Sequence, residues 1–151
     1  MKVTVLLKND HETVKSLFDR FDKGSARNQN GKKELFNEIQ RELLIHSQME
    51  LEIFYPALAA TSSARATELV ATAQREHEAV EKLLHELNAM SPTDKSFESR
   101  VHELREDVNR HIQMEEEEIF DEARKNLPEF RLEELGLEME DRRKILSMLA
   151  A

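Results

Sequence analysis

The sequence predicts an all-α protein: an up-down-up-down four-helix bundle with a short C-terminal helical tail. Three observations carry this expectation. The 151 residues include only three glycines, three prolines and no tryptophan, while 35% are charged, a composition rich in helix formers with few strand signals. Four segments bear apolar stripes in alternating steps of three and four residues, the period of a seam packed inside a left-handed bundle. The connections between them are short, which makes neighbouring helices antiparallel.

The first helix is expected from a Thr4 cap to about Lys23, stopped by Gly24 and the polar stretch from Ser25 to Gly31. Its stripe reads Leu7, His11, Val14, Phe18, Phe21. The second should start near Lys32 and run through Pro56 towards Ala60, with the stripe Ile39, Leu43, His46, Glu50, Ile53, Ala57; Pro56 is expected to kink or shorten its last turn. Thr61-Ser62-Ser63 supplies a connection and cap for the third, whose stripe is Val70, Ala73, His77, Val80, Leu84, Leu87 and which ends by Ser91-Pro92. Ser96 offers a cap for the fourth, which carries Phe97, Val101, Leu104, Val108, His111, Glu115, Glu118 and Glu122 as far as Pro128. Residues 1–127 therefore form the expected bundle. Residues 128–151 read as a short helical extension packed on it, with Leu132, Leu135, Met139, Leu146 and Leu149 interrupted by Gly136 and Arg142-Arg143.

The chain repeats. His46-Ser-Gln-Met-Glu50 returns as His111-Ile-Gln-Met-Glu115, and Asp10-His11-Glu12 resembles Glu76-His77-Glu78, so two helical hairpins related by a pseudo-twofold axis are expected. The repeat places one histidine in each of the four seams and a glutamate four residues after two of them. At about 1.5 Å rise per residue, such a pair lies on one helical face roughly 6 Å apart.

Polar groups in a seam need a physical reason. A buried unpaired carboxylate costs several kcal/mol and an unsatisfied imidazole about 1 to 3. Divalent cations remove that penalty by direct coordination. Mutual hydrogen bonding would account for one such histidine, but six groups converging from four helices point to metal. The candidate ligands are His11, His46, Glu50, His77, His111 and Glu115. Six ligands exceed one tetrahedral zinc and suit two ions, and mixed imidazole and carboxylate ligation favours iron, with zinc or manganese as alternatives. None of the four histidines has a carboxylate three residues before it, which argues against ferritin-like di-iron bundles.

These residues make the chain similar to the hemerythrin-like family, in its HHE cation-binding branch, over roughly Leu6 to Leu127. The resemblance includes both His-Glu dipeptides, both His-x-x-x-Glu pairs and Ile53-Phe54-Tyr55-Pro56 after the first pair. It implies that the six residues hold a non-haem di-iron centre bridged by Glu50 and Glu115. Oxygen-carrying members add a fifth histidine through a His-x-x-x-His pair on the third helix, whereas here Ala73 stands four residues before His77 and Glu81 four after it. The resemblance thus implies binding or sensing of oxygen, nitric oxide, peroxide or iron rather than reversible oxygen carriage. A di-iron enzyme acting on peroxide or nitric oxide, and an iron-dependent partner-binding module, are the competing readings.

Further pocket or supporting candidates are Tyr55, Met49, Met114, Glu81 and Glu118. Glu12 and Glu78 could orient the histidines beside them, whereas His85 and His102 lie off the stripes and are expected on the surface. A formal charge of -9 argues against nucleic acid and anionic membranes as partners. With no cysteine there is no thiolate ligand or disulfide. The apolar run Val3 to Leu7 is too short for a signal segment or membrane span, so a cytoplasmic monomer or weak homodimer is expected.

Overall fold

A computed structural model describes residues 1–24 and 28–150. Ser25 to Arg27 of the first expected connection, and Ala151 at the end of the expected tail, lie outside the described residues. The described residues form helices joined by turns: α1 (Val3–Asp22), α2 (Gln29–Met49), α3 (Tyr55–Ala59), α4 (Ala64–Asn88), α5 (Phe97–Met114), α6 (Phe120–Asn126) and α7 (Glu129–Ala150). Two π turns, Glu50–Phe54 and Glu115–Ile119, fuse α2 to α3 and α5 to α6. The bundle therefore has four long rods, as its stripes predict, plus α7 lying against α1 and α2.

Local chemistry sets most of the helix ends. Asn28 caps α2 by accepting from the Gly31 N–H at 2.6 Å, and Ser63 caps α4 by accepting from the Ala66 N–H at 3.1 Å. Gly24 takes the left-handed conformation (φ 69°) just past α1, where a side chain would be strained. Leu127 turns to extended backbone before Pro128, which ends α6. Two expected caps differ: α1 begins at Val3, ahead of the buried Thr4, and Ser96 precedes α5 without a side-chain capping bond. Helix α2 also starts earlier than Lys32, because Asn28 is the better cap.

The tail is not short. Helix α7 runs 22 residues without a break through Gly136 and Arg142-Arg143. Gly136 does not interrupt it because that position is a close approach: a Cβ there would lie 1.8 Å from the Met1 carbonyl oxygen. Lys2–Glu129 (2.8 Å) joins the same two segments at the surface.

Apolar side chains pack in two layers. One joins Val3, Leu7, Met49, Phe54, Leu58 and Phe120 to Leu132, Leu135, Met139 and Leu146 of α7. The other is built on Val14, Phe18, Phe36, Ile39, Leu87, Phe97 and Leu104. Each buried large side chain contributes roughly 1.5–3 kcal/mol, so both layers are stiff walls. Between them lies a belt of buried His11, His46, Glu50, His77, His111 and Glu115.

Candidate metal centre

Each rod delivers one histidine to the belt: His11 from α1, His46 from α2, His77 from α4 and His111 from α5. Glu50 and Glu115 open the two π turns, and both are 0% exposed. In each turn the backbone N–H five residues on returns to the glutamate's own carbonyl, from Tyr55 to Glu50 and from Phe120 to Glu115. A π turn inserts one residue into the α-helical period, so the buried face moves by one position beyond it. Phe54, Tyr55 and Leu58 are buried where the unshifted stripe predicts Ile53 and Ala57; Ile119, Phe120 and Ala123 replace Glu118 and Glu122.

The imidazoles are aimed by their outer nitrogens. His46 Nδ1 bonds Asp10 at 3.0 Å, His111 Nδ1 bonds Glu76 at 2.9 Å, and His11 Nδ1 bonds Glu116 at 2.7 Å. A carboxylate only accepts, so these three Nδ1 atoms carry the proton and donate. His77 Nδ1 meets the Ser47 hydroxyl at 2.6 Å. All four Nε2 atoms consequently turn inward. His11 Nε2 lies 3.0 Å from Glu115 Oε1, and His77 Nε2 lies 3.1 Å from Glu50 Oε1. The facing pair His77 and His111 brings its Nε2 atoms to 3.3 Å.

These groups separate into two sets whose ligand atoms all fall within 4.8 Å of one another: His11, His46, Glu50 and Glu115, and then Glu50, His77 and His111. Both sets could hold a cation, and Glu50 belongs to both. Polar atoms are left over at the junction. Neither Glu50 oxygen nor His46 Nε2 has a hydrogen-bond partner, although His46 Nε2 and Glu50 Oε1 approach to 3.2 Å without hydrogen-bond geometry. Such orphaned buried atoms cost about 1–3 kcal/mol each, and a metal ion is the partner their chemistry fits. The charges agree: Asp10, Glu50, Glu76, Glu115 and Glu116 surround four imidazoles and Arg143 pairs with Asp10, so two divalent cations would match the four remaining negative charges.

Without a cation, protons take that role. Burial alone would lower His46, but the Glu50 charge, the hydrogen bond to Asp10 and the closeness of the Glu115 and Glu50 carboxylates raise it well above its ordinary value. His111 is raised in the same way by Glu115, Glu50 and Glu76 against the effect of burial. Burial and the Glu115 charge oppose ionisation of Glu50, yet His46 and His111 outweigh them and bring it down to about 2.

Tyr55, a pocket or supporting candidate from the sequence, is carried into the belt by the π turn. Its hydroxyl donates to Glu115 Oε2 at 2.6 Å and lies 3.1 Å from His77 Nε2. Burial and the Glu115 and Glu50 charges hold this phenol well above its usual range. Its repeat counterpart Phe120 stacks on His11, with ring centroids 6.0 Å apart. At this pair of repeat positions the two ends of the belt differ by one hydroxyl.

A cavity of about 40 Å³ borders the belt and is lined from α1, α2, α4 and α5, with Val14, Leu43, Val80, Leu84 and Val108 in its walls and Glu76 and Glu81 beside them. A water needs roughly 10–15 Å³ by this measure, so there is room for a small molecule. Met49 and Met114 do not line it; Met49 is core, and Met114 packs against the same layer. Glu118 is on the surface, paired with Arg65 at 2.6 Å. Glu12, Glu78, His85 and His102 are exposed. The orienting acids are not the expected Glu12 and Glu78 but stand two residues earlier: Asp10 and Glu76 precede, rather than follow, the α1 and α4 histidines, and each serves the histidine of the next rod. The repeat Asp10-His11 and Glu76-His77 held that signal.

Four rods enclosing two His/Glu sets define a cation-binding bundle. The chain belongs to the hemerythrin HHE cation binding domain family, whose model matches residues 3–123. It is similar to the crystal structure of a hemerythrin HHE cation binding domain-containing protein from Mycobacterium kansasii, with a TM-score of 0.84 and 26% identity over 97% of this chain and 87% of that one. It is also 27% identical over 138 residues to a Nostoc sp. protein named DNA nickase, a match that covers 91% of this chain but 38% of that protein. Among the described residues, no helix is long and apolar enough to cross a membrane.

Proposed function

We propose that the chain is a non-haem di-iron protein that binds or senses oxygen, nitric oxide, peroxide or iron itself, with His11, His46, Glu50, His77, His111 and Glu115 as ligands. The observation that carries this reading is the orphaned Glu50 carboxylate, shared by two ligand sets and faced by imidazoles whose outer nitrogens are already occupied. Mixed nitrogen and oxygen ligation suits iron, and zinc or manganese would use the same atoms. When bound, the metal supplies open coordination positions for a small ligand. The chain supplies the rest: four aimed imidazoles, two carboxylates between them, stiff apolar walls and a narrow approach that admits small uncharged molecules.

A peroxide-decomposing enzyme is the second reading, and Tyr55 favours it. Its hydroxyl stands outside both ligand sets and donates directly to the Glu115 carboxylate. No DNA chemistry is assigned to this chain, because its charge of -9 opposes phosphate and the named relative is a longer protein. Metal analysis with an optical spectrum, taken before and after oxygen, peroxide and nitric oxide, separates the readings. Ligand-dependent spectral change without turnover supports binding or sensing. Steady oxygen release from peroxide that Tyr55→Phe reduces supports the enzyme. Protein that takes up no iron contradicts both.

A further inference from the structure

The two hairpins are alike in how they orient their second histidine and unlike in what stands behind. Asp10 and Glu76 are repeat counterparts, bonded to His46 and His111. Asp10 is buried and gripped through both oxygens by Arg143 of α7. Glu76 has no basic side chain paired with it other than His111 among the described residues. The neighbouring Arg142 grips Glu52 at 2.7 and 3.1 Å, inside the π turn that Glu50 begins. Two consecutive arginines of α7 thus hold the carboxylate that aims one ligand and the turn that carries another. Helix α7 begins at Glu129, beyond the residues that match the family model.

We propose that α7 braces one half of the metal centre, with Arg143 as a positioning residue acting through Asp10 on His46, so that cation binding and α7 docking strengthen each other. The inference rests on the metal reading above. One guanidinium nitrogen of Arg143 reaches both Asp10 oxygens, and a charge-assisted contact of this kind fixes the rotamer of the carboxylate and keeps it ionised. His46 Nε2 has no hydrogen bond, so the aim of the ring depends on the Nδ1 contact with Asp10. Coupling of this kind is reciprocal: whatever Arg143 adds to cation affinity, the cation adds to the docking of α7.

The test loads the full chain anaerobically with ferrous iron against a competing chelator and follows hydrogen exchange along α7 with and without the metal. In the wild type, iron should raise the protection of α7. Arg143→Leu should weaken one of the two ions by about tenfold, the low end of the roughly 10- to 100-fold range for outer partners of ligands, and abolish that gain in protection. Arg143→Lys, which keeps the charge on a shorter arm without the planar guanidinium, should fall between. In an Asp10→Asn background Arg143→Leu should cause no further loss. Wild-type affinity in both Arg143 variants, or an equal loss with and without Asp10, overturns the coupling while leaving the metal site intact. Failure of the wild type to bind iron overturns the metal reading itself.

Discussion

Tyr55 and Phe120 occupy equivalent places in the two hairpins, each just past a π turn, and only Tyr55 brings a hydroxyl to the belt. Tyr55→Phe removes that difference. The metal-free variant should lose about 1.5–3 kcal/mol, the range for a hydrogen bond to a charged group, because Glu115 Oε2 loses its donor. Iron content should stay unchanged, since both ligand sets remain. Chemical denaturation together with metal analysis checks this pair of outcomes.

The metal-free protein should be most stable in mildly acidic solution. Asp10, Glu50 and Glu115 are depressed, so their contribution is present above about pH 4 and is lost as pH falls through their folded values. His46 and His111 are raised, so theirs is present below about pH 6.5 and is lost as pH rises through their folded values. A cation needs neutral imidazoles and displaces these protons. Thermal unfolding with and without iron should therefore show a stabilisation by metal that grows from pH 6 to pH 8.

Gly136→Ala should loosen α7. Its Cβ would fall 1.8 Å from the Met1 carbonyl, and relieving such a clash costs typically about 1–3 kcal/mol. The melting temperature should drop, and exchange should rise first at Leu132, Leu135 and Met139, which α7 lends to the core.

Glu116 and Glu118 stand two residues apart and should behave differently. Glu116→Gln removes the carboxylate that orients His11 and should weaken iron binding by about 10- to 100-fold. Glu118→Gln breaks an exposed pair with Arg65 and should leave it unchanged. Chelator competition on the two variants decides the matter.

Much of this was readable from sequence because a histidine in a seam conflicts with its surroundings, and four of them conflict in the same way. Residues up to Glu50 and up to Glu115 follow the helical period, so their burial is legible. Past those points the period fails. A π turn leaves no mark in the composition of Glu-Leu-Glu-Ile-Phe or Glu-Glu-Glu-Glu-Ile, yet it moves the buried face by one residue. That shift alone put Tyr55 into the centre and Glu118 onto the surface. The orienting acids were hidden for another reason: Asp10 and Glu76 reach across to the next rod, a relation between helices that no single stripe contains.

The central claim is a two-ion centre that shares Glu50. It is tested most directly by the iron-to-chain ratio of protein loaded anaerobically with ferrous iron, compared with Glu50→Ala. The account predicts two ions per chain in the wild type, one for each ligand set, and loss of both in the variant. A wild-type ratio near zero, or the same ratio in both proteins, would contradict it.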